Sequence, residues 1–126
     1  MPCPWPVALR LPKRCTFSAV AVARAAGWGK APAPGVGRGL AVVEGFGSFA
    51  AGVAEVSVDA GGALKVLRYV VAIDSGHVVN PDTCAAQAES NAIYGLGALF
   101  EANTVKDGRI QESNFHDFPL PMIGDM

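Results

Sequence analysis

Charged and aromatic side chains are both scarce in this 126-residue chain. Only 17% of the residues are Asp, Glu, Lys or Arg, only 8% are aromatic, and the formal net charge is −1. A surface that binds nucleic acid needs clustered Lys and Arg side chains, with aromatic rings for stacking on single strands. No such cluster is present, which argues against a nucleic-acid partner.

Long apolar runs are also missing. The apolar run at residues 17–23 ends at Arg24, whereas a membrane-spanning helix needs about 20 apolar residues. We therefore expect no membrane span. The basic residues before this run resemble a secretory signal only faintly, because the run is short and prolines precede it. The sequence leaves the cellular compartment open.

Cysteine and histidine are too few for a disulfide framework or a metal site. The three cysteines, Cys3, Cys15 and Cys84, are an odd number at wide spacing, which favours free thiols in a reducing compartment. His77 and His116 have no Cys or carboxylate at metal-ligand spacing. We predict no metal ligand in this chain.

Small apolar side chains dominate the composition of the chain. Hydrophobic residues make up 51% of the chain and the mean hydropathy is +0.31, so the chain must bury much of its surface. Ala, Val and Gly each contribute little transfer free energy when buried. The length allows one domain at most, and the composition suits one layer of a larger structure.

The N-terminal segment differs in composition from the remainder. Residues 1–16 contain four of the nine prolines, which oppose both helices and sheet hydrogen bonding, and we predict an irregular tail there. Residues 17–26 are rich in alanine and predict a helix that stops at Gly27. We place the domain at residues 17–126.

Strand patterns begin near Arg38. Ala54, Val56 and Val58 alternate with polar residues, as in a half-buried strand, and the glycines at 61–62 predict a hairpin turn. On the returning strand the apolar positions shift by one residue. Either a bulge lies near Val66 or both faces become buried further along.

A second helix starts at Asn80-Pro81-Asp82, where Asn can cap, Pro fits the first turn and Asp complements the dipole. We expect it to end near Leu99, followed by a short hairpin that turns at residues 106–108. Its predicted buried stripe is Ala85, Ala88, Ala92, Ile93, Leu96 and Leu99. The predicted fold is α+β, an antiparallel hairpin packed with one long helix.

Two segments together resemble a signature of the molybdenum hydroxylases, the family of xanthine dehydrogenases and aldehyde oxidases. These are residues 73–82 (IDSGHVVNPD) and residues 87–97 (QAESNAIYGLG). The context at residues 37–58 looks most like the beta subunits of isoquinoline 1-oxidoreductases. The resemblance covers residues 17–126, and its motifs are moderately specific only as a set.

The resemblance implies that Gln87 contacts molybdopterin, the molybdenum cofactor. An amide offers both a donor and an acceptor. Without the resemblance, a glutamine in a helix is usually a solvated side chain. Glu89 is expected to be structural. Relatives carry glycines after this glutamate, and Ser90-Asn91 stand here instead, with bulk that could crowd a cofactor.

The implied protein is an oxidoreductase that hydroxylates N-heteroaromatics or aldehydes with oxygen from water. Its catalytic glutamate lies, in the family, beyond the C-terminal end of this sequence, so we assign no catalytic residue and expect a fragment that is inactive alone. The implied partners are the remainder of the large subunit, an iron–sulfur small subunit and the small substrate. The rival interpretation is a non-catalytic module that adds a strand to a partner's sheet.

Overall fold

The computed structural model describes residues 13–100, 103–118 and 121, and the chain divides into two compact units, Met1–His77 and Val78–Met126. In chain order the elements are α1 (Lys13–Ala26), β1 (Val36–Gly45), β2 (Ser48–Val58), β3 (Leu64–Asp74), α2 (Pro81–Phe100), β4 (Val105–Lys106) and β5 (Arg109–Ile110). The predicted α+β class is confirmed, because two helices accompany antiparallel sheets.

In the first unit, α1 covers one face of a three-stranded antiparallel sheet with the order β1-β2-β3. The predicted hairpin of β2 and β3 is confirmed, and β1 extends it. Small side chains allow the helix to approach the sheet closely. The core consists of Val22, Ala26, Ala51 and Val53, with Val42, Val70 and Ala72 packed against it.

The one-residue shift in β3 is a bulge. Glu55 pairs with Arg68 and Val56 pairs with Val66, so Leu67 is the extra residue on β3. The bulge lies beside Val66, as the first of the two sequence alternatives placed it. Val66 pairs with Val56 and Tyr69 pairs with Ala54, so the extra residue keeps the apolar positions of β3 on one face although their sequence spacing shifts by one residue.

The face of β2 that α1 covers is not the face that the sequence alternation predicted to be buried. Phe49, Ala51 and Val53 are buried, and side chains alternate along a strand, so Ala54 and Val58 lie on the opposite face. Val58 is exposed. The polar member of the alternation, Glu55, lies on the helix side because it pairs with arginines there.

Helix α1 begins at Lys13 rather than at residue 17, so residues 13–16 are helical and not part of an irregular tail. The rest of that predicted tail, residues 1–12, lies outside the described residues. The end of α1 at Gly27 is confirmed. Gly27 has a φ of 66° and donates to Arg24 O, while Trp28 donates to Ala23 O, which is the Schellman pattern.

The predicted start of α2 is confirmed. The Asn80 Oδ1 accepts a hydrogen bond from the Thr83 backbone at 3.0 Å, and α2 then runs to Phe100. The predicted buried stripe is only partly right, because Ala85 and Leu99 are exposed. The other four members, Ala88, Ala92, Ile93 and Leu96, are half-buried.

The hairpin of β4 and β5 turns at Asp107 and Gly108, as predicted, with φ angles of 52° and 74°. These positive angles define the two-residue turn that matches strand twist. After β5, the Glu112 carboxylate accepts a 2.7 Å hydrogen bond from the Thr104 backbone. No helix within the described residues is long and apolar enough to cross a membrane.

Candidate functional site

Gln87, the residue that the sequence assigns to the cofactor, lies on α2 with its side chain exposed. No described residue makes a hydrogen bond with its side-chain amide. The NH₂ donors and the carbonyl acceptor are therefore free for a ligand.

Asn91 and Tyr94 share the face of α2 on which Gln87 lies. Positions i, i+4 and i+7 fall on one side of a helix, and all three side chains are exposed. Tyr94 is 79% exposed. We call these three residues the Gln87 face. It offers hydrogen-bonding groups and carries no formal charge at neutral pH.

A cavity of about 500 Å³ lies along α2 beside this face. We call it the α2 cavity. Its lining consists of Ser90, Ile93, Tyr94, Gly97, Ala98, Asn103, Phe118 and Pro121. Tyr94 therefore belongs to both the Gln87 face and the cavity. Sequence reasoning missed the cavity, because its residues meet only in three dimensions.

Gly97 brings the chain after β5 close to α2. A Cβ atom at this buried position would lie 3.1 Å from the Pro121 Cδ. The absence of a side chain therefore permits the contact with Pro121, which closes one side of the cavity. Helix α2 continues through Gly97 to Phe100.

The two residues that depart from the family pattern lie in different parts of this region. The exposed Ser90 lines the cavity, and Asn91 belongs to the Gln87 face. Glu89, which the sequence gives a structural role, is exposed.

Asp74 ends β3 and fixes the following turn, because its Oδ1 accepts a 3.2 Å hydrogen bond from the Gly76 backbone. The Arg14 guanidinium also binds it through two hydrogen bonds of 2.7 and 2.6 Å. Arg14 lies in the predicted tail, and no sequence signal connects it to Asp74.

Arg14 holds the pKa of the Asp74 carboxyl below its usual range, and the Gly76 N–H contributes next. The folded chain thus favours the ionised carboxylate. Its stabilising effect is present above the unfolded pKa, about 4. The effect is lost as the pH falls through the lower folded pKa.

The cysteines and histidines occupy ordinary positions. Cys15 is buried against the sheet, and burial raises the pKa of its thiol, with a further contribution from Glu44. Cys84 is half-buried in α2, and the His116 Nε2 lies 3.1 Å from Asp117 Oδ1. Within the described residues, no group of three or more His, Cys, Asp or Glu side chains could hold a metal ion.

The Gln87 face fits the edge of a pterin. A pterin ring carries neutral donors and acceptors, and the free amide of Gln87 can pair with both kinds of group. The adjoining Asn91 amide and Tyr94 hydroxyl add further neutral groups. These residues could hold the organic part of the cofactor.

Comparisons with known proteins identify the family. The family model of the molybdopterin cofactor-binding domain matches residues 17–126. The isoquinoline 1-oxidoreductase subunit beta of Brevundimonas diminuta is 47% identical over 58 residues, which are 45% of this chain and 7% of that protein. The membrane-bound aldehyde dehydrogenase (pyrroloquinoline-quinone) of Gluconacetobacter polyoxogenes is 31% identical over 105 residues, 78% of this chain and 14% of that protein.

The chain thus spans 7% and 14% of the length of these two relatives. No solved structure matches it. The name of the second relative specifies a different cofactor, so the cofactor assignment rests on the family model. Since that model covers most of the sequence, the chain belongs to the molybdopterin cofactor-binding domain family, and its resemblance to the molybdenum hydroxylases is confirmed.

Proposed function

We propose that this chain forms one side of the cofactor site in an oxidoreductase that hydroxylates an N-heteroaromatic or aldehyde carbon. The observation that carries the proposal is the Gln87 face. Its side chains are exposed on a well-capped helix, and the Gln87 amide has no hydrogen-bond partner among the described residues. A polar group held on a rigid helix with its hydrogen-bonding capacity unused is suited to ligand binding.

The proposed reaction converts a C–H bond and water into C–OH, two protons and two electrons. The bound molybdenum cofactor would supply the oxidation chemistry. Gln87 would orient the pterin through its amide, and Asn91 and Tyr94 would extend the polar contact. No residue of this chain is assigned as the base that removes the proton from water.

The remaining parts of the site belong to other segments in this proposal. We infer that residues 17–126 are part of a larger cofactor-binding domain, which the remainder of the large subunit completes. An iron–sulfur small subunit would accept the electrons. The short span of the chain relative to its relatives supports this arrangement.

Gln87→Ala in the full-length enzyme is expected to lower molybdenum occupancy or turnover by roughly ten-fold or more. Loss of one buried amide contact costs about 1–3 kcal/mol, and about 1.4 kcal/mol corresponds to a factor of ten. Metal analysis and specific activity measure the two effects.

Gln111→Ala is the matched control. Gln111 is also an exposed glutamine, and among the described residues its amide donates to the nearby Arg109 carbonyl at 3.1 Å. This variant should keep the parent's metal content and activity. If Gln87→Ala also matches the parent, Gln87 does not contact the cofactor.

The purified 126-residue chain is expected to show no hydroxylase activity, because it carries no residue assigned as the catalytic base. Assays with an N-heterocycle or an aldehyde, together with an artificial electron acceptor, test this expectation. Turnover by the isolated chain would show that the proposed division of the site between segments is wrong.

A further inference from the structure

We propose that the outer side of α1 docks on the surface of an anionic lipid bilayer. The residues concerned are exposed residues of the helix and of the turn that ends it, and we call them the α1 surface: Phe17, Val20, Arg24, Trp28 and Lys30. The contact is with the bilayer surface and does not cross it. It is independent of the proposed function, since no residue of α2 takes part.

Helix α1 has two opposite sides. The side that packs on the sheet consists of Cys15, Ser18, Val22 and Ala26, all of which are buried. Phe17, Val20 and Arg24 follow the spacing i, i+3 and i+7, which places them together on the other side. Phe17 is 72% exposed and Val20 is 42% exposed. The helix therefore presents apolar side chains to solvent although its inner side already supplies the core.

The α1 surface is positively charged. Arg24 and Lys30 are exposed, and residues 1–43 contain no Asp or Glu. Arg14 and Arg38, from the same part of the sequence, are already paired with carboxylates. The attraction to a negatively charged partner is therefore assigned to Arg24 and Lys30.

Neighbouring acidic groups do not cancel this charge. Glu44 contributes to the raised pKa of the Cys15 thiol, so it lies near the first turn of α1. Arg24 lies about 13 Å further along the helix, at about 1.5 Å per residue. At the end of α1 where Arg24 lies, the single carboxylate of Glu55 faces two arginines, Arg38 and Arg68.

This combination of groups matches the headgroup region of a bilayer. Helices that lie on membranes combine exposed aromatic and aliphatic side chains with Lys and Arg. Phe17 and Val20 would enter the boundary of the acyl chains, while Arg24 and Lys30 reach anionic headgroups. Trp28 is 43% exposed, and an indole, with an apolar ring and one N–H donor, suits the same boundary.

Flotation of the full 126-residue chain with vesicles tests the proposal. One set of vesicles contains phosphatidylcholine with about 30% of the anionic lipid phosphatidylglycerol, and the other contains phosphatidylcholine alone. In a density gradient, bound protein rises with the vesicles, whereas aggregated protein sediments. We expect flotation with anionic vesicles at about 0.1 M salt, and at least about five-fold less bound protein with neutral vesicles or at about 0.5 M salt. Absence of flotation with anionic vesicles, or equal flotation with neutral ones, would overturn the proposal.

Two variants locate the contact. Phe17→Ser/Val20→Ser removes apolar groups and Arg24→Glu reverses a charge, and each should reduce the bound fraction at least about five-fold. Both variants change exposed side chains, and circular dichroism checks that they fold. The matched controls, Phe115→Ser and Arg109→Glu, make the same kinds of exchange at exposed positions of the second unit and should float like the parent. Flotation of either folded α1 variant at the parent's level would contradict the assigned surface.

The sheet face opposite α1 is the competing route to the bilayer, because it also exposes apolar side chains. Val71→Ser/Ile73→Ser changes this face without adding charge, at positions that are 37% and 48% exposed. We expect this variant to float like the parent. Loss of its flotation, with normal flotation of the α1 variants, would place the contact on the sheet and reject the proposal. No outcome bears on the cofactor contact of Gln87, which all these variants retain.

Discussion

Replacement of Glu55 by alanine is expected to lower the free energy of unfolding by about 2–4 kcal/mol, because it leaves two arginines without their carboxylate. The Glu55 Oε1 accepts a 2.7 Å bond from Arg38 Nη2 and lies 4.0 Å from Arg68 Nη1. The Arg38 and Glu55 side chains are only 12% and 17% exposed. Water could therefore compensate the loss only partly.

The two arginines also cap the end of α1. Arg38 donates to the Gly27 and Lys30 carbonyls at 3.1 and 2.9 Å, and Arg68 donates to the Ala25 carbonyl at 3.2 Å. Positive charge at a helix C-terminus is stabilising. Glu55 holds both guanidinium groups in place, so its loss should also weaken the attachment of α1 to the sheet.

Thermal or urea unfolding followed by circular dichroism measures this effect. Glu44→Ala is the matched control, since Glu44 is an exposed glutamate on β1, and it should change stability little.

Asp74→Ala should also have a smaller effect than Glu55→Ala, although the hydrogen bonds between Asp74 and Arg14 are as short. The Arg14 and Asp74 side chains are 50% and 31% exposed, and water screens such pairs. A Glu55→Ala variant as stable as Glu44→Ala would contradict this account.

Two lysine substitutions on the sheet are expected to convert the isolated chain from an associating to a monomeric species. The sheet face opposite α1, which we call the open face, is apolar along all three strands. Its residues are Val43, Ala50, Gly52, Ala54, Tyr69, Val71 and Ile73. Five of these, Val43, Ala50, Ala54, Val71 and Ile73, are aliphatic, and none is charged.

Such a face promotes association because its large apolar side chains are exposed. Val71 and Ile73 are 37% and 48% exposed. Next to them, the Tyr69 ring lies over Gly52, where a Cβ atom would come within 2.9 Å of Cζ. Contiguous exposed apolar surfaces of this kind mark interfaces or aggregation sites.

The measurement is size-exclusion chromatography of Val71→Lys/Ile73→Lys beside the parent chain. The matched control is Val105→Lys/Ile110→Lys, the same exchanges at exposed positions of the β4–β5 hairpin. We expect only the sheet pair to restore a monomer. A parent chain that is already monomeric, with a cooperative thermal transition, would instead favour the free-standing module that adds a strand to a partner.

Local chemistry made much of the fold predictable from the sequence. The Asn80 cap, the Gly27 stop and the Asp107-Gly108 turn act within a few residues, so their effects can be read along the chain. The one-residue shift of the apolar positions on β3 also indicated a bulge beside Val66, as one of two alternatives between which the pairing register decided. The resemblance to the molybdenum hydroxylases depended on two such local signatures.

Tertiary structure alone decided which residues meet. Arg14 and Asp74 are 60 positions apart, and Glu55 pairs with arginines on both neighbouring strands. The alternation predicted the wrong buried face for β2. Near Glu55, an ion pair rather than the apolar residues lies on the side that α1 covers. The α2 cavity likewise needs Phe118 and Pro121 to return to the helix. Hydrophobic periodicity describes one helix or strand at a time. These contacts are set by the pairing register of the strands and by the path of the chain back to α2, and both depend on the whole fold.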